Sequence, residues 1–91
     1  MRYTILVYYL YVLINEVGEL YFGSTNDLRR RLAEHNHDGS PSTRKHAWSL
    51  VYYEAYLSES DARRREHQLK YHGQAKAQLK QRLSASLQNK S

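Results

Sequence analysis

The chain has 91 residues, enough for one small domain, with 14 Lys and Arg against 9 Asp and Glu and a formal net charge of +5. Its 41% apolar and 25% charged residues exclude wholesale disorder, and the absence of Cys excludes disulfides, thiolate metal sites and a cysteine nucleophile. The richest apolar run, Ile5 to Ile14, is interrupted by Tyr8, Tyr9 and Tyr11 and falls well short of the roughly 20 residues of a spanning helix. No small-residue cleavage pattern follows it, so a soluble protein of the cytoplasm is the expectation. Nine of the 11 aromatic residues are Tyr, which suits a surface or groove that is half wet, because a buried phenol needs a hydrogen-bond partner.

In chain order, Tyr3 to Asn15 is β-branched, aromatic and aliphatic, and reads as a long strand, apolar on both faces and therefore central in its sheet. Glu16-Val17-Gly18-Glu19 reads as a turn, and Leu20 to Gly23 as the returning strand of a hairpin. Ser24 and Asp27 have capping-box spacing, predicting a helix from about Asp27 to His35. A polar loop over residues 36–42 leads to a third strand, Trp48 to Leu57. Ser58 and Asp61 repeat the capping spacing before a second helix that runs to about Tyr71 and stops near Gly73, a residue suited to the C′ position. Ala75, Leu79, Leu83 and Leu87 recur every four residues and predict a third, amphipathic helix. The expected fold is α+β: a small three-stranded antiparallel sheet flanked by about three helices in the order β-β-α-β-α-α, with residues 1–83 as one domain and 84–91 as a polar, frayed tail.

The charge is unevenly spread. Residues 1–57 hold six basic and six acidic residues, so the whole +5 lies in residues 58–91. Such a basic region fits a polyanion binder, and it equally fits a solvated helix face. On the first helix Leu28 and Leu32 mark the core stripe, with Arg31 and His35 bordering it as i,i+4 neighbours. On the second helix Ala62 and Leu69 mark the stripe and Glu66 falls between them, a costly place for a carboxylate unless it is paired or holds a metal. An internal Arg31–Glu66 ion pair is the structural alternative to a functional site. Arg29, Arg30, Arg63, Arg64 and Arg65 are expected on exposed faces, in contact with solvent or with phosphate. His35-x-His37 lacks a third ligand, and His37, His46, His67 and His72 read as surface residues. No P-loop, dinucleotide-type Gly motif, Ser–His–Asp arrangement or carboxylate cluster for two metals is present.

Five segments in order resemble the GIY-YIG endonuclease family, in its compact single-domain bacterial branch related to the structure-specific Slx-type and URI-like nucleases. Tyr9-Leu10-Tyr11 stands in the GIY place and Tyr21-Phe22-Gly23 in the YIG place. Residues 24–35 are similar to the family's next block, with Arg31 and His35 at its Arg and His positions. Trp48 to Glu54 resembles the third-strand segment, and Glu66 falls at the metal-binding glutamate. Tyr9, Leu10 and Phe22 replace the family's Gly and Ile residues, changes expected to affect packing and leave both tyrosines in place. The Asn that many members carry after the glutamate has no clear counterpart.

The resemblance implies an endonuclease that hydrolyses DNA phosphodiester bonds, selective for structure or only weakly for sequence, in DNA repair or processing. It implies one Mg²⁺ or Mn²⁺ on Glu66, Arg31 on the scissile phosphate, and Tyr11, with Tyr21 and His35, on the attacking water. A phenol of ordinary pKa near 10 serves as base only where neighbouring cations lower that value. Arg29, Arg30, Lys45, Arg63, Arg64, Arg65 and Lys70 are the expected backbone contacts to DNA, whether single-stranded, flapped or branched. A non-catalytic nucleic-acid-binding module and a small protein–protein adaptor are the alternatives.

Overall fold

A computed structural model describes residues 6–37 and 45–88 of the chain. Strand β1 (Tyr8–Asn15) is central and pairs antiparallel on one side with β2 (Leu20–Thr25) and on the other with β3 (Trp48–Tyr56), giving the sheet order β2-β1-β3. Helix α1 (Leu28–His37) lies between β2 and β3 in sequence; α2 (Glu59–Tyr71), α3 (Gly73–Arg82) and α4 (Ser84–Gln88) follow β3. This is the expected α+β architecture, with a fourth, short helix at its end.

The apolar character of β1 on both faces has a direct cause. Side chains alternate along a strand, so Leu10 and Val12 point one way, into a cluster with Phe22, Leu69 of α2 and Leu79 of α3. Tyr11 and Leu13 point the other way, against Trp48, Tyr21 and the Leu28 and Leu32 stripe of α1. Each fully buried Leu contributes about 1.5–3 kcal/mol, and helices cover the sheet on both faces. The hairpin between β1 and β2 is organised by buried Asn15, whose Oδ1 accepts from the Val17 and Glu19 amides at 3.1 and 2.9 Å. Gly18 supplies the positive φ of 86° that this turn requires. A register shift opposite Val12 and Leu13 leaves Val51 of β3 as the extra residue of a bulge.

Several local expectations are corrected. Leu6 and Val7 precede β1, Asn36 and His37 of the expected loop belong to α1, and residues 3–5 of the expected strand and 38–42 of the expected loop lie outside the described residues. Strand β2 continues through Ser24 and Thr25, pairing them with Leu10 and Tyr9. The start of α1 is therefore closed by Asp27 in place of Ser24: its Oδ1 accepts from the Arg30 amide at 3.1 Å. Ser58 occupies the N-cap of α2 without a side-chain capping bond, its hydroxyl meeting that of Ser60 at 2.9 Å. Gly73 does not stop α2. His72 is the C-cap, in an extended conformation, and Gly73 opens α3. Residues 84–88, expected as frayed tail, form α4: backbone bonding runs on across Leu83, whose amide donates to the Leu79 carbonyl and whose carbonyl accepts from the Leu87 amide.

Candidate active site

Helix α1 lies on one face of the sheet and α2 on the other, so their side chains meet only around an edge. Strand β2 is that edge. Along it Leu20 and Phe22 face the α2 side, and Ser24 follows them by parity; Tyr21 and Gly23 face the α1 side.

On the α1 side, the Tyr11 hydroxyl lies 2.8 Å from His35 Nε2, and both residues are buried, at 2% exposure each. The Tyr21 ring packs edge-on against His35 at 4.6 Å between centroids, 6.3 Å from the Tyr11 ring, and Trp48 closes the cluster 6.0 Å beyond Tyr21. Arg31 is held by Glu34 at 3.0 Å, and its guanidinium also faces the Tyr11 oxygen. Burial pushes the Tyr11 phenol up to about 12, more than the neighbouring Arg31 lowers it. Burial, then Arg31, hold the His35 imidazole below its ordinary 6.5, so the ring is neutral at pH 7. Arg31 has donors only, which leaves the phenol's own proton for neutral Nε2. The hydrogen bond to Glu34, helped by the nearby Tyr11 oxygen, raises the Arg31 pKa and holds its charge.

On the α2 side, Glu66 is half-buried. Its Oε1 accepts from the Ser24 hydroxyl at 2.7 Å and its Oε2 from Lys70 at 2.7 Å. The Lys70 ammonium stands 5.9 Å from the centre of the Tyr21 ring, which joins the two halves of the site across the edge of β2. Burial opposes the Lys70 charge, yet the Glu66 carboxylate outweighs it and holds the pKa above its ordinary value. The alternative Arg31–Glu66 ion pair does not form among the described residues; each partner is claimed by a neighbour on its own helix.

Beside the site runs a groove lined by Ser24, Asn26, Arg30, Arg31, Glu59 and Arg63, between the first turns of α1 and α2. The expected basic contacts divide accordingly. Arg30 and Arg63 face this groove, although each also pairs along its own helix, with Glu34 and Glu59. Arg64 is exposed and paired with Asp61. Arg29 lies in a separate groove with Tyr9, Leu50 and Tyr53, and Lys45 in a third beside Asn36 and Trp48. Arg65 departs most from its expected exposed face: it is sheltered and binds both oxygens of Glu54, at 3.0 and 3.2 Å. Lys70 is engaged with Glu66. Ser24 is the site residue that sequence reasoning missed, and its signal was the parity of β2, which places it on the face of Phe22.

As a cation site, Glu66 offers one hard carboxylate. The described residues contain no group of three or more His, Cys, Asp or Glu able to enclose a metal, which rules out among them a closed cage of the structural-zinc kind. One half-buried carboxylate, bonded to a groove residue, Ser24, does fit Mg²⁺ or Mn²⁺, ions that keep several waters and take further oxygens from substrate phosphates.

A small β1-β2-α1 unit thus presents two neighbouring tyrosines with an Arg and a His of one helix, and a Glu of another helix stands across the sheet edge. Residues 7–82 match the family described as the GIY-YIG catalytic domain, and the chain belongs to that family. It is 39% identical over 77 residues to a UPF0213 protein of Lactiplantibacillus plantarum, covering 80% of this chain and 75% of that one. It is 40% identical over 80 residues to a UPF0213 protein of Natronomonas pharaonis, covering 86% and 91%. The solution NMR structure of a UPF0213 protein from Bacillus halodurans is similar, with a TM-score of 0.52 at 33% identity over 80% of this chain and 81% of that one. No helix among the described residues is long and apolar enough to cross a membrane.

Proposed function

We propose that the protein is a metal-dependent endonuclease of the cytoplasm that hydrolyses DNA phosphodiester bonds, selecting its substrate by structure or only weakly by sequence, in DNA repair or processing. The observation that carries this reading is the meeting of Tyr11, Tyr21, Arg31, His35 and Glu66, drawn from four elements, beside a groove faced by Arg30 and Arg63.

In this mechanism Tyr11 is not the resting base, since a phenol at about 12 keeps its proton at neutral pH. The neutral His35 imidazole is the proton acceptor, and Tyr11 relays: it passes its proton to Nε2 as it takes one from the attacking water. Arg31 shields the Tyr11 oxygen in the resting protein. When its planar fork turns to the phosphate, that oxygen opens to the water, so substrate binding and activation are coupled. Glu66 would hold a single Mg²⁺ or Mn²⁺, whose chemistry is to neutralise charge on the phosphate and the departing 3′ oxygen. Ser24 orients the Glu66 carboxylate, and the groove arginines hold the DNA backbone away from the cut.

The test incubates purified protein with plasmid, single-stranded, flap and splayed-arm DNA in Mg²⁺, Mn²⁺ or EDTA, beside Glu66→Ala and Arg31→Ala. Cleavage that requires metal and falls by about 10²–10³ in each variant is expected. Wild type that cuts none of these substrates, or variants that cut as well as wild type, overturns the reading. A second reading, a nucleic-acid-binding module without catalysis, is favoured by the resting ion pairs that occupy both Arg31 and Glu66. Salt-sensitive DNA binding without metal-dependent cleavage would select it.

A further inference from the structure

Both oxygens of the Glu66 carboxylate are engaged from within the protein. Ser24 donates to Oε1 and Lys70 to Oε2, each at 2.7 Å. Lys70 lies four residues after Glu66 on α2, the order in which a helical Glu–Lys pair is most favourable. The two side chains are 22% and 36% exposed, so water screens the pair less than it screens an open surface pair. The Tyr21 ring, 5.9 Å from the ammonium, flanks Lys70 on the side of the catalytic cluster. Ammonium and metal compete for the same oxygen. A divalent ion on Oε2 would stand within a few ångströms of a like charge, and Coulomb repulsion at that range forces Lys70 off the carboxylate.

We propose that Lys70 is the resident cation of Glu66: it occupies the place of the metal in the resting protein and must be displaced when the metal enters. This rests on the reading of Glu66 as the metal ligand. Lys70 is thus a positioning residue. It keeps a sheltered carboxylate neutralised without metal, and it holds affinity for free metal low, so that the ion binds firmly only when substrate phosphate adds its own negative charge. The sequence alone places Lys70 among the residues that contact DNA; the 2.7 Å bond to Glu66 gives it a different task.

The test is a Mn²⁺ titration of the DNA-free protein followed by electron paramagnetic resonance, comparing wild type with Lys70→Met, Lys70→Gln and the double variant Lys70→Met/Glu66→Gln. Circular dichroism melts check that each variant is folded. Removing one partly sheltered ion pair is expected to tighten Mn²⁺ binding about twofold to fivefold in both single variants, and the double variant is expected to lose it. Equal or weaker binding in both single variants overturns the proposal. So does binding that survives in the double variant, or no Mn²⁺ binding by any of the proteins. DNA cleavage by wild type, measured in parallel, separates the two readings. A wild type that cuts nothing yet shows the Lys70-dependent shift sinks the nuclease reading and keeps the resident cation. A metal-dependent nuclease whose Mn²⁺ affinity ignores Lys70 does the reverse.

Discussion

Tyr11 and Gly23 face each other across the β1–β2 pair, and the Tyr11 phenol lies so close over Gly23 that a β-carbon there would stand 2.5 Å from both Cζ and the hydroxyl oxygen. The obstacle is a close approach and not an unusual backbone angle. Gly23→Ala is therefore expected to push the phenol off His35. Overpacking of this kind costs about 1–3 kcal/mol of stability, and a displacement of about 1 Å at a reacting group costs about 10²-fold in rate. Chemical denaturation and a cleavage assay check the two effects. A variant with wild-type activity would show that Tyr11 need not sit where it does.

Ser24→Ala separates orientation of Glu66 from the fold. The lost hydrogen bond goes to a carboxylate, and such bonds contribute about 1.5–3 kcal/mol. Cleavage is expected to fall by about tenfold or more at limiting metal, and excess Mn²⁺ is expected to restore part of it. The strand should persist, because Ser24 pairs through its backbone with Leu10. Rate measurements across a metal titration test this. An activity independent of the hydroxyl at every metal concentration removes Ser24 from the site.

What could be read from the chain followed its periodicities. The alternation along β1 and the i,i+4 spacing of Arg31 and His35 place three candidate side chains on one face, since those relations are fixed by local geometry. Ser24 reads as a cap because the capping spacing Ser24–Asp27 is also met by a strand that runs two residues further. Pairing with Leu10 and Tyr9 decided for the strand, and Asp27 took the cap. Gly73 resembled a helix terminator, yet the extended backbone of His72 ends α2 without it. The partner of Arg65 was out of reach: Glu54 lies on β3, and only packing of α2 against the sheet brings the two together.

Stability should depend on pH through His35. Its pKa in the folded protein lies below the ordinary 6.5, chiefly because it is buried and then because Arg31 is near. As pH falls through 6.5 the unfolded chain takes up a proton before the folded protein does, so stability present above 6.5 is lost progressively toward the lower folded value. Melting temperatures measured from pH 8 to 5 should decline in wild type and decline less in His35→Gln, which keeps an acceptor for Tyr11 but does not titrate. Equal slopes for the two proteins would remove His35 as the cause. If the imidazole is the proton acceptor, kcat/KM should fall over the same acid range.

Two arginines of one helix, two residues apart, should behave in opposite ways. Arg65 and the Tyr52 and Tyr56 hydroxyls all bond the sheltered Glu54 carboxylate, and those bonds hold its pKa down against burial, which alone would raise it. Arg65→Ala leaves that carboxylate short of its charged partner and is expected to cost about 1–3 kcal/mol of stability, with the salt dependence of DNA binding unchanged. Arg63 is 70% exposed, pairs along its helix with Glu59, and faces the groove beside Arg31. Arg63→Ala should leave stability within about 0.5 kcal/mol of wild type, weaken DNA binding on every sequence, and reduce the slope of log affinity against log salt by about one. Urea denaturation and binding isotherms at several salt concentrations distinguish the two. The opposite pattern, with Arg65 governing the salt slope and Arg63 governing stability, would move the DNA path from the α1–α2 groove to the β3 side of α2.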